Sequence, residues 1–111
     1  MARGVVVVFV TCPGVSVGRR ISRALIEQRL AACVNLVPRV ESCYRWQGTV
    51  ERAAETLLII KTTRRRFKAL ARAIRSLHPY DCPEIIALPL AAGHPPYMRW
   101  VVESVASRRS S

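Results

Sequence analysis

Four cysteines, two histidines and seven carboxylates are the residues of this 111-residue chain best suited to nucleophilic, acid–base or metal chemistry. A cysteine nucleophile needs a nearby base and an activating setting, such as the start of a helix. Cys12 comes closest, at the end of the first expected strand and just ahead of the first expected helix. No G-x-S-x-G elbow, Walker loop or G-x-G-x-x-G is present. The carboxylates show no pairing suited to acid–base work, and only Glu84 lies near other polar candidates. The chain is therefore not expected to be an enzyme or to carry an organic cofactor. Metal chemistry is better served, because imidazole and thiolate suit borderline and soft ions. His78 and Cys82 form a His-x-x-x-Cys run after the second helix, and Cys12 ends a strand, so the three can converge at one end of a sheet. The same residues also read as a histidine capping helix carbonyls beside a packed cysteine.

The elements that would position these groups follow from periodicity. Residues 4–12 are a continuous β-branched run, the pattern of a strand buried on both faces, stopped by Pro13-Gly14. Ser16 is placed to cap a helix whose apolar stripe is Val17, Ile21, Ala24, Leu25 and Ala32. From Val34 the period becomes two, with Val34, Leu36, Val40, Tyr44 and Trp46 sharing one parity. Pro38 within that strand requires an edge position or a bulge. Gln47-Gly48 turns the chain into a return strand ending in Leu57-Leu-Ile-Ile60. Thr63 is expected to cap a second helix with the stripe Phe67, Leu70, Ala71, Ile74 and Leu77. Residues 84–90 are a fourth strand, and a short helix with Tyr97, Trp100, Val101 and Val105 precedes a polar tail at 107–111, expected to be disordered.

The order β-α-β-β-α-β plus a terminal helix predicts a single α+β domain over 1–111. Its fold is ferredoxin-like, an antiparallel sheet with helices on one face. The hairpin over 34–63 has arms of about 13 residues, more than twice the usual strand length. Tyr44 and Trp46 near its tip have little to pack on in a monomer, so pairing with other subunits is expected.

Composition limits the partners. The longest apolar runs fall far short of the roughly 20 residues that span a bilayer, and no signal-peptide pattern opens the chain. A cytoplasmic protein with reduced thiols and no membrane partner is expected. The cysteine spacings of 21, 10 and 39 fit no zinc-finger pattern. Eighteen basic residues, sixteen of them Arg, give a net charge of +11. That balance attracts polyanions, or reflects a genome that favours Arg codons. Arg64, Arg65, Arg66, Lys68, Arg72 and Arg75 cluster on the second helix. The inner strands lack the aromatics of an RNA-recognition sheet, so nucleic acid is not an expected partner.

Five collinear motifs add a family resemblance. Arg29-Leu-Ala-Ala-Cys-Val-Asn35, Tyr44-Arg-Trp46-Gln-Gly48, Leu58-Ile-Ile-Lys61-Thr-Thr63, His78-Pro-Tyr80-Asp-Cys-Pro83-Glu84 and Tyr97-x-x-Trp100 resemble the CutA family of divalent-cation tolerance proteins. The resemblance implies a ferredoxin-like subunit in a tight homotrimer, joined through the hairpin strands, and a role in tolerance of copper and other divalent cations without catalysis. It implies a metal site at His78, where some members carry a His-His pair and this chain has Leu77-His78. Some members also have a first-strand cysteine at the position occupied here by Val10, with Cys12 two residues later on the same parity. It further implies a likeness to trimeric nitrogen-regulatory proteins. An alternative role follows, a signalling scaffold binding an anionic small molecule or partner protein in intersubunit clefts. Trp46, Lys61, Thr63, Tyr80 and Glu84 are the matched candidates for such a cleft. Their structural alternative is a Lys61–Glu84 ion pair, with Tyr80 hydrogen-bonding across the trimer interface.

Overall fold

Apolar alternation and two amphipathic stripes settle which surfaces meet. A computed structural model describes residues 4–106, so the expected disordered tail at 107–111 lies outside the described residues. The elements are β1 (Val5–Cys12), α1 (Val15–Glu27), β2 (Cys33–Trp46), β3 (Thr49–Thr63), a 3-10 turn (Arg64–Arg66), α2 (Phe67–Leu77), β4 (Ile85–Pro89) and α3 (Pro95–Ser104). One antiparallel sheet has the order β2-β3-β1-β4, which is the ferredoxin-like arrangement with β3 inserted between β1 and β2.

Both longer helices cover one face of that sheet. Val6, Val8, Val10 and Cys12 of β1, with Leu58 and Ile60 of β3, pack against Ile21 and Leu25 of α1 and Leu70 and Ile74 of α2. The other face is only half covered, because Val7, Phe9 and Thr11 keep partial exposure. The expectation that β1 is buried on both faces therefore fails within one chain. On that second side, α3 covers the end of the sheet at Val5, through Met98 and Val101, with Ala32 and Leu90 packed alongside. Among the described residues no helix is long and apolar enough to cross a membrane.

Helix starts differ from expectation. Ser16 lies inside α1, whose cap position is Gly14 with no side-chain bond, and Ala32 falls beyond the end of α1. Thr63 ends β3 and caps nothing with its hydroxyl, because the three arginines wind a 3-10 turn before α2 begins. At the hairpin tip Gln47 and Gly48 have φ of 50° and 86°, the pair of positive values that a two-residue type I′ turn requires.

The decisive irregularity is in β2. Val37 faces Leu57 and Val40 faces Glu55, so Pro38 and Arg39 together oppose Thr56 alone. This is a β-bulge on an edge strand, where Pro38 needs no ladder partner. The extra residue inverts the facing of everything after it. Val34 and Leu36 pair with Ile60 and Leu58 on the helix-covered face. Val40, Tyr44 and Trp46 instead share a face with Glu55, although all five residues have one parity in the sequence. The Thr56 hydroxyl donates to the Pro38 carbonyl at 3.0 Å and fastens the bulge.

Candidate functional site

The inverted half of β2 forms one wall of a cleft of about 560 Å³. Ser42, Cys43, Tyr44 and Trp46 come from β2, Thr11 from the end of β1, and Glu55 from β3. The opposite wall is the loop after α2, which contributes Tyr80, Asp81, Cys82 and Glu84. Prolines 79 and 83 restrict that loop, and His78 fixes its base. The imidazole is buried, with Nε2 at 2.8 Å from the Thr11 carbonyl and Nδ1 at 3.1 Å from the Tyr80 amide. Nδ1 accepts from that amide, so the proton sits on Nε2, which donates to Thr11.

Glu55 is the buried carboxylate of the site, only 7% exposed. The Tyr80 hydroxyl donates to its Oε2 at 2.9 Å. Burial first, and then the hydrogen bond and negative charge of Glu55, push the Tyr80 phenol up to about 12. Cys12 is buried, its thiol within 3.7 Å of the Thr56 carbonyl and 3.9 Å of that of Gly14. Burial pushes that thiol up as well, with the Gly14 backbone acting the other way. A thiol held protonated is a poor nucleophile and a poor metal ligand.

The residues singled out from sequence separate into two groups. Trp46, Tyr80, Glu84 and Cys82 line the cleft together. His78 and Cys12 lie beneath it, engaged with backbone groups. Lys61 and Thr63 do not reach it. Lys61 is six residues from Glu55, about 20 Å along an extended strand, and its ammonium donates to the Asn35 side-chain oxygen. Thr63 is buried opposite Val5 at the far end of β3. The expected Lys61–Glu84 ion pair is therefore not formed within the chain, and Tyr80 bonds Glu55 of the same chain. Among the described residues, no three His, Cys, Asp or Glu side chains come close enough to cage a metal ion.

Sequence reasoning missed Glu55 and Asp81. Glu55 carries a signal, as the last charge before the run Leu57–Ile60 and so the point where β3 enters the buried sheet. Its sharing a face with Tyr44 and Trp46 becomes visible only with the bulge in place. In a chain of net charge +11, the cleft lining holds three of seven carboxylates and no Lys or Arg. One exposed thiol, that of Cys82, stands in the same lining, whereas Cys43 pairs with Arg52 and turns its thiol to the other side of the sheet.

Comparison with known proteins agrees with this fold. The family model for the CutA1 divalent ion tolerance protein matches residues 6–104. Protein CutA of Mus musculus is 49% identical over 102 residues, covering 89% of this chain and 58% of the mouse protein. The divalent-cation tolerance protein CutA of Thermus thermophilus is 50% identical over 98 residues, covering 88% of this chain and 95% of that one. A solved structure of the divalent cation tolerance protein from Thermus thermophilus superimposes with a TM-score of 0.90 at 48% identity, over 92% of this chain and 99% of its own. The chain thus spans less than two thirds of the mouse relative and nearly all of the bacterial one. By sequence and by fold, the chain belongs to the CutA1 divalent ion tolerance protein family.

Proposed function

We propose that this chain serves divalent-cation tolerance by holding the cation at its acidic cleft, as a cytosolic homotrimer that binds rather than catalyses. One observation carries the reading. The cleft concentrates Glu55, Asp81 and Glu84 with the thiol of Cys82, and its lining has no basic residue in a strongly basic chain. Carboxylate and thiolate donors together suit borderline divalent ions. The site fits such an ion as a loosely held, partly hydrated guest, because the donors do not converge into a closed cage within one chain. His78 acts as the anchor of the cleft loop in this reading, since both its ring nitrogens are already engaged. An anionic ligand has less support, because no lining cation would neutralise it and Lys61 is remote.

Zinc is the suitable probe, since it does not oxidise thiols as cupric ion does. Calorimetric titration of the reduced protein should show saturable binding. The variants Cys82→Ser and Asp81→Asn/Glu84→Gln should each weaken it about tenfold, on the order of 1.4 kcal/mol per step. Unchanged binding in both variants, or none in the native protein, overturns the reading.

A further inference from the structure

The excess positive charge of this molecule is concentrated in one layer. Segments 15–30 and 64–77, which make the two sheet-covering helices and their ends, hold ten basic residues against the single acid Glu27. They therefore carry nine of the eleven excess charges. The hairpin from Arg39 to Glu55, written in the same codons, is balanced: Arg39, Arg45 and Arg52 stand among Glu41, Glu51 and Glu55. A bias toward arginine across a genome would not separate the layers in this way.

Packing turns this charge outward. Ile21 and Leu25 of α1 and Leu70 and Ile74 of α2 are in the core, which leaves Arg19, Arg20 and Arg23 exposed on one helix. Arg64, Lys68, Arg72 and Arg75 are exposed at spacings of four, four and three, a single stripe about 16 Å long. Among the described residues only Arg23 of this face has an acidic partner, Glu27 at 2.9 Å. The 3-10 turn and the first turn of α2 contain no acid, although positive charge at a helix start opposes the macrodipole. The arginines are thus unneutralised at some cost to the helix.

We propose that this outer helical face binds the phosphate backbone of double-stranded nucleic acid without reading its sequence. The guanidinium fork pairs with phosphate oxygens two at a time, which an ammonium cannot do. Membranes fit less well, because α2 exposes no large apolar side chain to insert and α1 exposes only Ile26. Single strands fit less well, because the face has no aromatic ring on which bases stack. The sheet face, whose strands lack the aromatics of RNA recognition, plays no part in this contact.

A labelled 20-base-pair DNA duplex, titrated by fluorescence anisotropy between about 50 and 300 mM salt, tests the proposal. Binding should weaken steeply with salt, since each neutralised phosphate adds about −0.9 to the log–log slope. The variant Lys68→Gln/Arg72→Gln/Arg75→Gln should lose roughly two orders of magnitude at about 0.1 M salt and flatten the slope by about three. All three side chains are exposed, so an unchanged unfolding midpoint shows that the fold survives. The hairpin variant Arg39→Gln/Arg45→Gln/Arg52→Gln removes the same charge and should bind almost as the native protein does. No duplex binding at the lowest salt overturns the proposal, as does equal loss in both variants. Binding to phosphatidylserine vesicles but not to the duplex would transfer the face to membranes and also overturn it.

Discussion

At Tyr80, burial and a neighbouring charge act on one oxygen. The phenol donates to a buried carboxylate, and losing its proton would place two negative charges 2.9 Å apart. Its ordinary value of 10.0 rises to about 12 in the fold, chiefly through burial and then through Glu55. The unfolded phenol ionises first, so this contribution to stability is whole below pH 10 and is lost as pH climbs toward about 12. Absorbance titration of the three tyrosines should show a late phase that Tyr80→Phe reduces. Burial pushes the Tyr97 phenol up as well, so the reading fails if the Tyr80→Phe variant loses only an ordinary phase and keeps the whole late amplitude. His78, two residues earlier, calls for the opposite emphasis. With both ring nitrogens bonded to backbone groups, it ties the cleft loop to β1. His78→Ala should cost about 1–3 kcal/mol in urea unfolding and leave zinc binding weakened but present. Abolished binding with unchanged stability would make His78 a ligand instead.

At the scale of elements, one inserted residue builds the site. The bulge at Pro38 and Arg39 turns Tyr44 and Trp46 onto the face of Glu55. Gly18 permits α1 to lie close above it. A Cβ at Gly18 would stand 3.2 Å from Leu36 Cδ1 and from Thr56 Cγ2, and 3.4 Å from Cys12 Sγ. Thr56 cannot easily swing away, because its hydroxyl holds the Pro38 carbonyl. Gly18→Ala gains up to about 1 kcal/mol of helix propensity, yet should lower the urea midpoint by the equivalent of about 1 kcal/mol net. A raised midpoint would mean that Leu36 yields freely.

The same bulge separates what the sequence could disclose from what it could not. Element order, the long hairpin and its turn, and the helix stripes facing Val8 and Ile60 were legible, because each is a local period. The edge position and bulge at Pro38 were legible as alternatives and proved to be both. The face of Trp46 was not, because a bulge breaks the link between residue number and side of the sheet. Lys61 and Glu84 belong to motifs that match a family, and motif membership says nothing of the strand length between them. Glu55 and Tyr44 come to the cleft from paired strands, and the register that aligns them with the loop is a tertiary fact.

At the scale of the molecule, the uncovered side of the sheet demands an explanation. Cross-strand rows place Phe9 between Ile59 and Ile86, and Val7 between Lys61 and Leu88. Ile86 is 51% exposed and Leu88 46%, at the β4 edge. The hairpin stretches the chain to 49 Å, and Trp46 near its tip, on the same side of the sheet, is exposed too. Exposed apolar surface of this kind marks an interface, and the homotrimer proposed above supplies one without a further partner. Light scattering should then give the mass of three 12.4 kDa chains at micromolar concentration, and a monomer would remove the trimer. Ile86→Glu/Leu88→Glu puts two charges on the exposed edge of that face while sparing the helix-covered core. It should release monomers, lower the melting temperature and remove the concentration dependence that a trimer's melting shows, because obligate assembly couples folding to association. A variant that stays trimeric at full stability would assign the assembly to the hairpin edges alone and leave the sheet face for another molecule.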